Sequence, residues 1–328
     1  MIPFPVTDST LSSLHLGRFV AEHYNLGSET TCQIVRTGIN HSYLITDQDK
    51  KYIFRVYSFN WRSREEVSEE IRLLNVLKNR GLSVSFPIPD SNHQFIQELS
   101  APEGARFGVL FSFAPGKKER YFSLETCRSL GVTLGKFHEV MGTMELQRIT
   151  YTSETLIRQP YQFATRFFSP ELAEMQWIKK SEQSVEELFA TASRLSLRHG
   201  AVHLDMWYDN MHILNEETHT IFDFDFCGNG YLLFDVAYFI MQLYHIEPNK
   251  ELYQKRRKAF LSGYTAILPI SAQELELLPE AGRALWIFYL GVQSQRFDNW
   301  SNVFLSENYL IRFIGMCKDW LSFHGIEE

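Results

Sequence analysis

The chain has 328 residues, 45% of them hydrophobic and 22% charged, with a formal net charge of −7. That length leaves room for two domains, or one large two-lobed unit, around a substantial core. The acidic balance argues against a general nucleic-acid surface; it suits a cationic substrate, though net charge alone is a weak guide. No run approaches the ~18 apolar residues of a membrane span, and the opening MIPFPVTDST lacks the basic and apolar regions of a signal peptide. Cys32, Cys127, Cys227 and Cys317 are widely spread without a CxxC pair, as expected of buried thiols in a reducing, cytoplasmic compartment.

Residues 10–24 carry Leu11, Leu14, Phe19, Val20 and Tyr24 at helical spacing, with Asp8 or Ser9 available as a cap and Gly27 as a stop. Three strand-like runs follow, at 32–36, 43–46 and 51–57, joined by TGINHS and DQDK in the manner of an antiparallel meander. In the third run Ile53, Arg55 and Tyr57 share a face. Residues 63–79 read as the clearest helix of the first half. Ser63 and Glu66 form a capping box, and Gly81 ends the helix. Its apolar stripe is Val67, Ile71, Leu74 and Leu77. Glu70 points along that stripe, where a carboxylate needs a partner, while Glu65 and Glu69 point outward. Runs at 95–99 and 106–113 make a second hairpin-like pair that ends in Ala-Pro-Gly. From Ser123 onward the chain is mainly helical, with segments expected at 123–141, 169–195, 232–245, 251–267, 281–297 and 307–323.

The stretch His203 to Asp225 breaks that helical half. Two short apolar runs, 211–214 and 220–224, flank the polar turn 215–219, which is a hairpin signal. His203, Asp205, Asp209 and Asn210 stand just before the first run; Asp223 and Asp225 sit in the second. A hairpin of this kind gathers oxygen ligands, and hard cations such as Mg²⁺ take oxygens with phosphate as a co-ligand.

His-x-Asp-x-x-x-x-Asn followed by a strand-borne Asp-Phe is the catalytic-loop and metal-binding order of the protein-kinase fold. Here the chain resembles the aminoglycoside phosphotransferase and choline kinase family, including its type II homoserine kinase-like and bacterial stress-response kinase-like members. The loop of that family commonly reads His-Gly-Asp-x-x-x-x-Asn, with a further Asp at the position of Asp235. Leu130-Gly131 through Leu134 to His138 also matches a helix pattern of the family, and a structural role is expected for His138.

The resemblance implies an α+β, protein-kinase-like fold. Residues 1–112 would form a small antiparallel-sheet lobe with one key helix, and residues 113–328 a larger, mostly helical lobe. It implies ATP and Mg²⁺ as cofactors and a small hydroxyl-bearing molecule as acceptor, with no nucleic-acid or membrane partner; the oligomeric state is left open. Asp205 would be the base, His203 would orient the loop, and Asn210 and Asp223 would hold the cation. Asp225 and Asp235 would support them. Arg55 would clamp phosphate where kinases carry Lys, paired with Glu70, or failing that with Glu66. Gly38 and Asn40 fall in the phosphate-covering turn, where Gly permits close backbone approach and Asn tolerates unusual φ. The hinge falls at 110–115, with Ser112 and Phe113 beside the base of the nucleotide.

Three departures bear on the substrate: Leu204 replaces the usual Gly, while Trp207 and Asp209 replace His and Gly. Only nine residues separate Asp225 from Asp235, too few for a peptide-binding activation segment. A small-molecule kinase therefore ranks above a Ser/Thr protein kinase and above a binding-only pseudokinase. A metal-dependent hydrolase built on His203, Asp205, His212 and Asp223 ranks last.

Overall fold

The computed structural model describes residues 4–296 and 304–327. Residues 1–3, and Phe297 at the end of an expected helix, lie outside them. The chain divides into two compact units, one reaching Ala114 and one beginning at Pro115.

The first unit opens with α1 (Ser13–His23), β1 (Thr31–Arg36), β2 (His41–Asp47) and β3 (Lys50–Val56). It continues through α2 (Arg64–Asn79), β4 (Pro87–Ile88), β5 (Ile96–Ala101) and β6 (Gly104–Ser112). All strand pairs are antiparallel, in the order β1-β2-β3-β6-β4, with β5 on the outer half of β6. Alternation places Tyr43 and Ile45 of β2 in a core with Leu16 and Val20 of α1, Phe54 and Val56 of β3, and Leu110 of β6. Neither Asp8 nor Ser9 caps α1. The N-cap is Ser12, whose hydroxyl meets His15 Nδ1 and makes no capping bond to the backbone; Asp8 lies between His41 and Arg106 and Ser9 donates to Glu103.

Helix α2 follows the sequence closely. Ser63 and Glu66 satisfy each other's backbone N–H groups in a full capping box, and Val67, Glu70, Ile71, Leu74 and Leu77 are buried. Each fully buried Leu or Ile contributes ~1.5–3 kcal/mol, which offsets the cost of the one carboxylate placed among them.

The second unit carries α3 (Leu124–Met141), a π-helical turn (Glu154–Arg158), α4 (Gln159–Ala164) and α5 (Ala173–Arg194). Next come β7 (His199–Val202), a 3₁₀ turn (Tyr208–Asn210), β8 (Met211–Ile213), β9 (His219–Ile221) and β10 (Gly228–Tyr231). Helices α6 (Leu233–Ile246), α7 (Lys250–Thr265), α8 (Ala272–Arg296) and α9 (Glu307–Phe323) complete it. β7 pairs with β10 and β8 with β9, both antiparallel. α3 packs on α7 with backbones close together: a Cβ at Gly131 would come 2.0 Å from the Phe260 carbonyl oxygen, and one at Gly263 would come 1.9 Å from that of Arg128. The Leu-Gly pair of the helix motif is thus a packing requirement. Helix α8 starts nine residues before the sequence-predicted start at 281 and carries Pro279 inside it, a residue that normally argues for a boundary.

Candidate active site

β7 delivers the chain into the loop that starts at His203, and the loop's backbone is held from the first turn of α6. The N–H groups of His203 and Leu204 both donate to the Asp235 carboxylate, at 2.9 Å and 2.6 Å for the shorter contacts. His138 of α3 reaches the same carboxylate through Nε2 at 3.1 Å, and its Nδ1 lies 2.8 Å from the Tyr264 hydroxyl of α7. A carboxylate only accepts, so His138 donates from Nε2 and accepts the Tyr264 proton at Nδ1. Burial alone would raise the Asp235 carboxyl, but the His138 bond, with the loop N–H groups, holds it below its ordinary value.

His203 is fully buried, and its ring packs on Phe224 with centroids 4.2 Å apart. Its Nδ1 accepts the Asp205 N–H at 3.0 Å, which leaves the proton on Nε2. Burial pushes its pKa down, so the imidazole is neutral and braces the loop.

Leu204 has φ +62°, the left-handed region that favours glycine. This is where the resembling loops carry Gly, and here a Leu holds the conformation that glycine favours. The strain costs ~1–2 kcal/mol, yet the Leu204 side chain is fully buried, which contributes ~1.5–3 kcal/mol. Leu204→Gly is therefore expected to lower stability in urea by about 1 kcal/mol, since glycine's own chain entropy adds to the lost burial. A gain in stability would mean that backbone strain dominates.

Asp205 is gripped on both oxygens. Tyr238 of α6 donates to Oδ1 at 2.7 Å, and Asn210 Nδ2 donates to Oδ2 at 2.6 Å. Burial and the nearby Asp223 carboxylate push its pKa up to about 7. A cation beside Asp223 would pull it down again. Tyr289 of α8 donates to the Leu204 carbonyl at 3.0 Å, and its ring stacks on Tyr238 at 5.3 Å. Tyr238 and Tyr289 escaped the sequence reading. Both sit in continuous apolar runs of helices, where an aromatic reads as core; the one signal available was the hydroxyl that a buried Tyr must satisfy. Tyr238→Phe keeps the ring and removes the clamp. Because hydrogen bonds to charged groups contribute ~1.5–3 kcal/mol, kcat is expected to fall about tenfold or more, with KM for nucleotide unchanged in steady-state assays.

Asn210 closes the 3₁₀ turn. Its Nδ2 also donates to the Asp205 carbonyl at 3.1 Å, while its Oδ1 is buried without a hydrogen-bond partner. A buried, unsatisfied carbonyl oxygen asks for a donor or a cation. Asp223 was expected on a strand, but β9 stops at Ile221 and Asp223 has φ +65°. The left-handed turn ends the extended run and changes the direction in which the carboxylate leaves the backbone. Asp225 is buried, and Arg148 donates to its carbonyl. Asn210 and Asp223 fit Mg²⁺, which takes one or two protein oxygens and fills its other positions with water and phosphate. Among the described residues no group of three or more His, Cys, Asp or Glu is arranged to hold a metal ion, His203, Asp205, His212 and Asp223 included.

The first unit brings Arg55 and Glu70 together. Arg55 Nη1 donates to Glu70 Oε1 at 3.0 Å, and Tyr57 donates to Oε2 at 3.0 Å. Glu66 is committed to the capping box. Asn40 has no positive φ; its contribution is the side-chain oxygen that accepts the Ser58 N–H at 3.2 Å. A Cβ at Gly38 would meet nothing within 4 Å, so packing does not dictate glycine there. Ser112 is engaged with the neighbouring strand: its N–H donates to the Phe86 carbonyl and its Oγ accepts the Phe86 N–H. Lys51 lies over the Phe113 ring, 5.7 Å from its centroid.

An antiparallel sheet with one helix bearing a buried Glu–Arg pair, together with a helical unit bearing this loop, is the architecture of a protein-kinase-like fold. The chain belongs to the phosphotransferase enzyme family, whose model matches residues 31–270. It is 26% identical over 293 residues to the homoserine kinase of Xanthobacter autotrophicus, covering 88% of this chain and 86% of that one. Two solved structures share the fold. A microcompartment-associated aminopropanol kinase superposes with a TM-score of 0.75 at 17% identity, over 96% of this chain and 99% of that one. An amicoumacin kinase in complex with AMP-PNP and Ca²⁺ has a TM-score of 0.75 at 20% identity, over 94% of each chain.

Proposed function

We propose that this phosphotransferase moves the γ-phosphoryl group of ATP, with Mg²⁺, to a hydroxyl of a small molecule: an amino alcohol, an amino acid or an aminoglycoside-like compound. The observation that carries the reading is the pairing of Asp205, held on both oxygens, with the partnerless Asn210 Oδ1 beside it. The first supports a proton acceptor and the second a cation ligand. The names of the relatives support the acceptor class, and AMP-PNP with Ca²⁺ in a structural neighbour supports nucleotide and divalent metal. Among the described residues no helix is long and apolar enough to cross a membrane. The four cysteines are free thiols, which supports work in the cytoplasm.

In this mechanism Asp205 orients the acceptor hydroxyl and takes its proton as the oxygen–phosphorus bond forms and the bond from the γ-phosphorus to the bridging oxygen breaks, releasing ADP. Asn210 and Asp223 hold the cation, and Arg55, steadied by Glu70, holds nucleotide phosphate. Bound Mg²⁺ supplies neutralisation of phosphate charge. His203, Asp235 and His138 keep the loop backbone fixed, so that little reorganisation is needed during transfer. A screen of hydroxyl-bearing metabolites with Mg-ATP, reading ADP release, is expected to find an amino alcohol or amino acid among the acceptors. Asp223→Ala is expected to weaken Mg-dependent nucleotide binding in calorimetry by about tenfold or more, as loss of a charged partner does. Unchanged affinity together with normal turnover would remove Asp223 from the cation site.

A further inference from the structure

The second unit holds a cavity of about 730 Å³ away from the loop residues described above. Helix α7 divides its faces. Phe260, Gly263 and Tyr264 are buried, with Phe260 and Gly263 against the α3 backbone and Tyr264 bonded to His138. Arg257, Lys258, Leu261, Ser262 and Thr265, at spacings of one, three and four, form a stripe along the cavity. Phe323 at the end of α9 and His324 just after it also line the cavity, with Ile270 from the loop before α8 and Leu275 from the first turn of α8.

The charge in this cavity is one-sided. Among the described residues no Asp or Glu lines it, although the chain as a whole is acidic. Glu247 before α7 is paired with Arg256, and Glu274 beside Leu275 is paired with Arg198. Neither Arg257 nor Lys258 has an ion-pair partner among the described residues. Arg257 Nε and His324 Nε2 are buried without hydrogen-bond partners. Burial first, and the Arg257 charge second, push His324 down to about 4, so it is a neutral imidazole available for a hydrogen bond. A guanidinium fork, an ammonium and an imidazole line this cavity together with the apolar side chains of Leu261, Ile270, Leu275 and Phe323, which is the complement of an amphipathic anion.

We propose that this cavity is a binding site for a small phosphate monoester carrying a short apolar group, separate from the site of phosphoryl transfer. The phosphate lies against Arg257 and Lys258, with His324 completing its contacts. The apolar group lies against Leu261, Ile270, Leu275 and Phe323.

Calorimetric titration of the full chain with phenyl phosphate tests this. Saturable binding of one molecule per chain is expected, weakened at least tenfold in the double variant Arg257→Gln/Lys258→Gln, with no binding of benzyl alcohol, which has the apolar body without the charge. Ser262→Glu, an exposed position on the same stripe, places a carboxylate in the cavity and is expected to weaken binding as much. Both variants should keep the wild-type melting temperature and transfer rate. Absence of saturation up to roughly 10 mM, weaker than any useful small-molecule site, would overturn the proposal. So would phenyl phosphate binding both variants as tightly as the wild type, because that binding would then belong to another site such as the nucleotide's.

Discussion

Replacing Asp205 by Asn is expected to lower phosphoryl transfer by ~10²–10⁴, the range over which a positioned general base contributes, while nucleotide affinity stays close to wild type. The change is nearly isosteric. Asn has one oxygen acceptor in place of two and cannot take a proton from the acceptor. The introduced amide presents that oxygen to Asn210 Nδ2, which now donates to Oδ2 at 2.6 Å, and its N–H to the Tyr238 oxygen, whose hydroxyl now donates to Oδ1 at 2.7 Å and can accept instead. That local adjustment leaves Asp223 and the Asn210 Oδ1 in place, which is why binding and transfer should separate. The decisive measurement pairs turnover with calorimetry using Mg-AMP-PNP. Transfer within about tenfold of wild type would take Asp205 out of the base role, since the lower end of general-base help is ~10². A parallel fall in turnover and affinity would point instead to a role in building the cation site.

Much of this arrangement is written in local chemistry. The α2 capping box and stripe can be read directly because each depends on residues within a few positions of one another. The His203–Asn210 spacing is visible for the same reason. What escaped the sequence comes from distant chain. Tyr238 and Tyr289 reach the loop from α6 and α8, and nothing in an apolar helix shows which hydroxyl will point at a carboxylate. Tyr57 completes Glu70 from the face it shares with Arg55, where alternation placed it without revealing its partner. The left-handed conformation of Leu204 is opposed by its own propensity and is held by burial and by the Asp235 carboxylate on its N–H, so only tertiary structure reveals it; that of Asp223 is one an Asp tolerates. Pro279 inside α8 is the converse case, a strong local signal outweighed by packing.

The second large effect is expected at the Arg55–Glu70 pair. Glu70 is fully buried and Arg55 nearly so, and they meet at 3.0 Å. Removing one member of such a pair leaves an uncompensated charge, so Arg55→Ala and Glu70→Ala should each destabilise the chain by about 3 kcal/mol in urea unfolding. Glu70→Ala also strips the acceptor from the Tyr57 hydroxyl. The double variant should cost at least ~1 kcal/mol less than the sum of the single changes, because residues in contact share their energy. Arg55→Lys separates charge from shape. It keeps a cation for Glu70 but loses the planar fork, so folding should be largely retained while nucleotide use weakens yet survives. Additive single changes would show that the buried contact carries no coupling. In that case the stability of the helix would rest on its apolar stripe, and Arg55 would act on the nucleotide without Glu70. If instead coupling is strong but Arg55→Lys leaves nucleotide affinity untouched, the pair is a fold element only, and the phosphate clamp must be sought elsewhere in the chain.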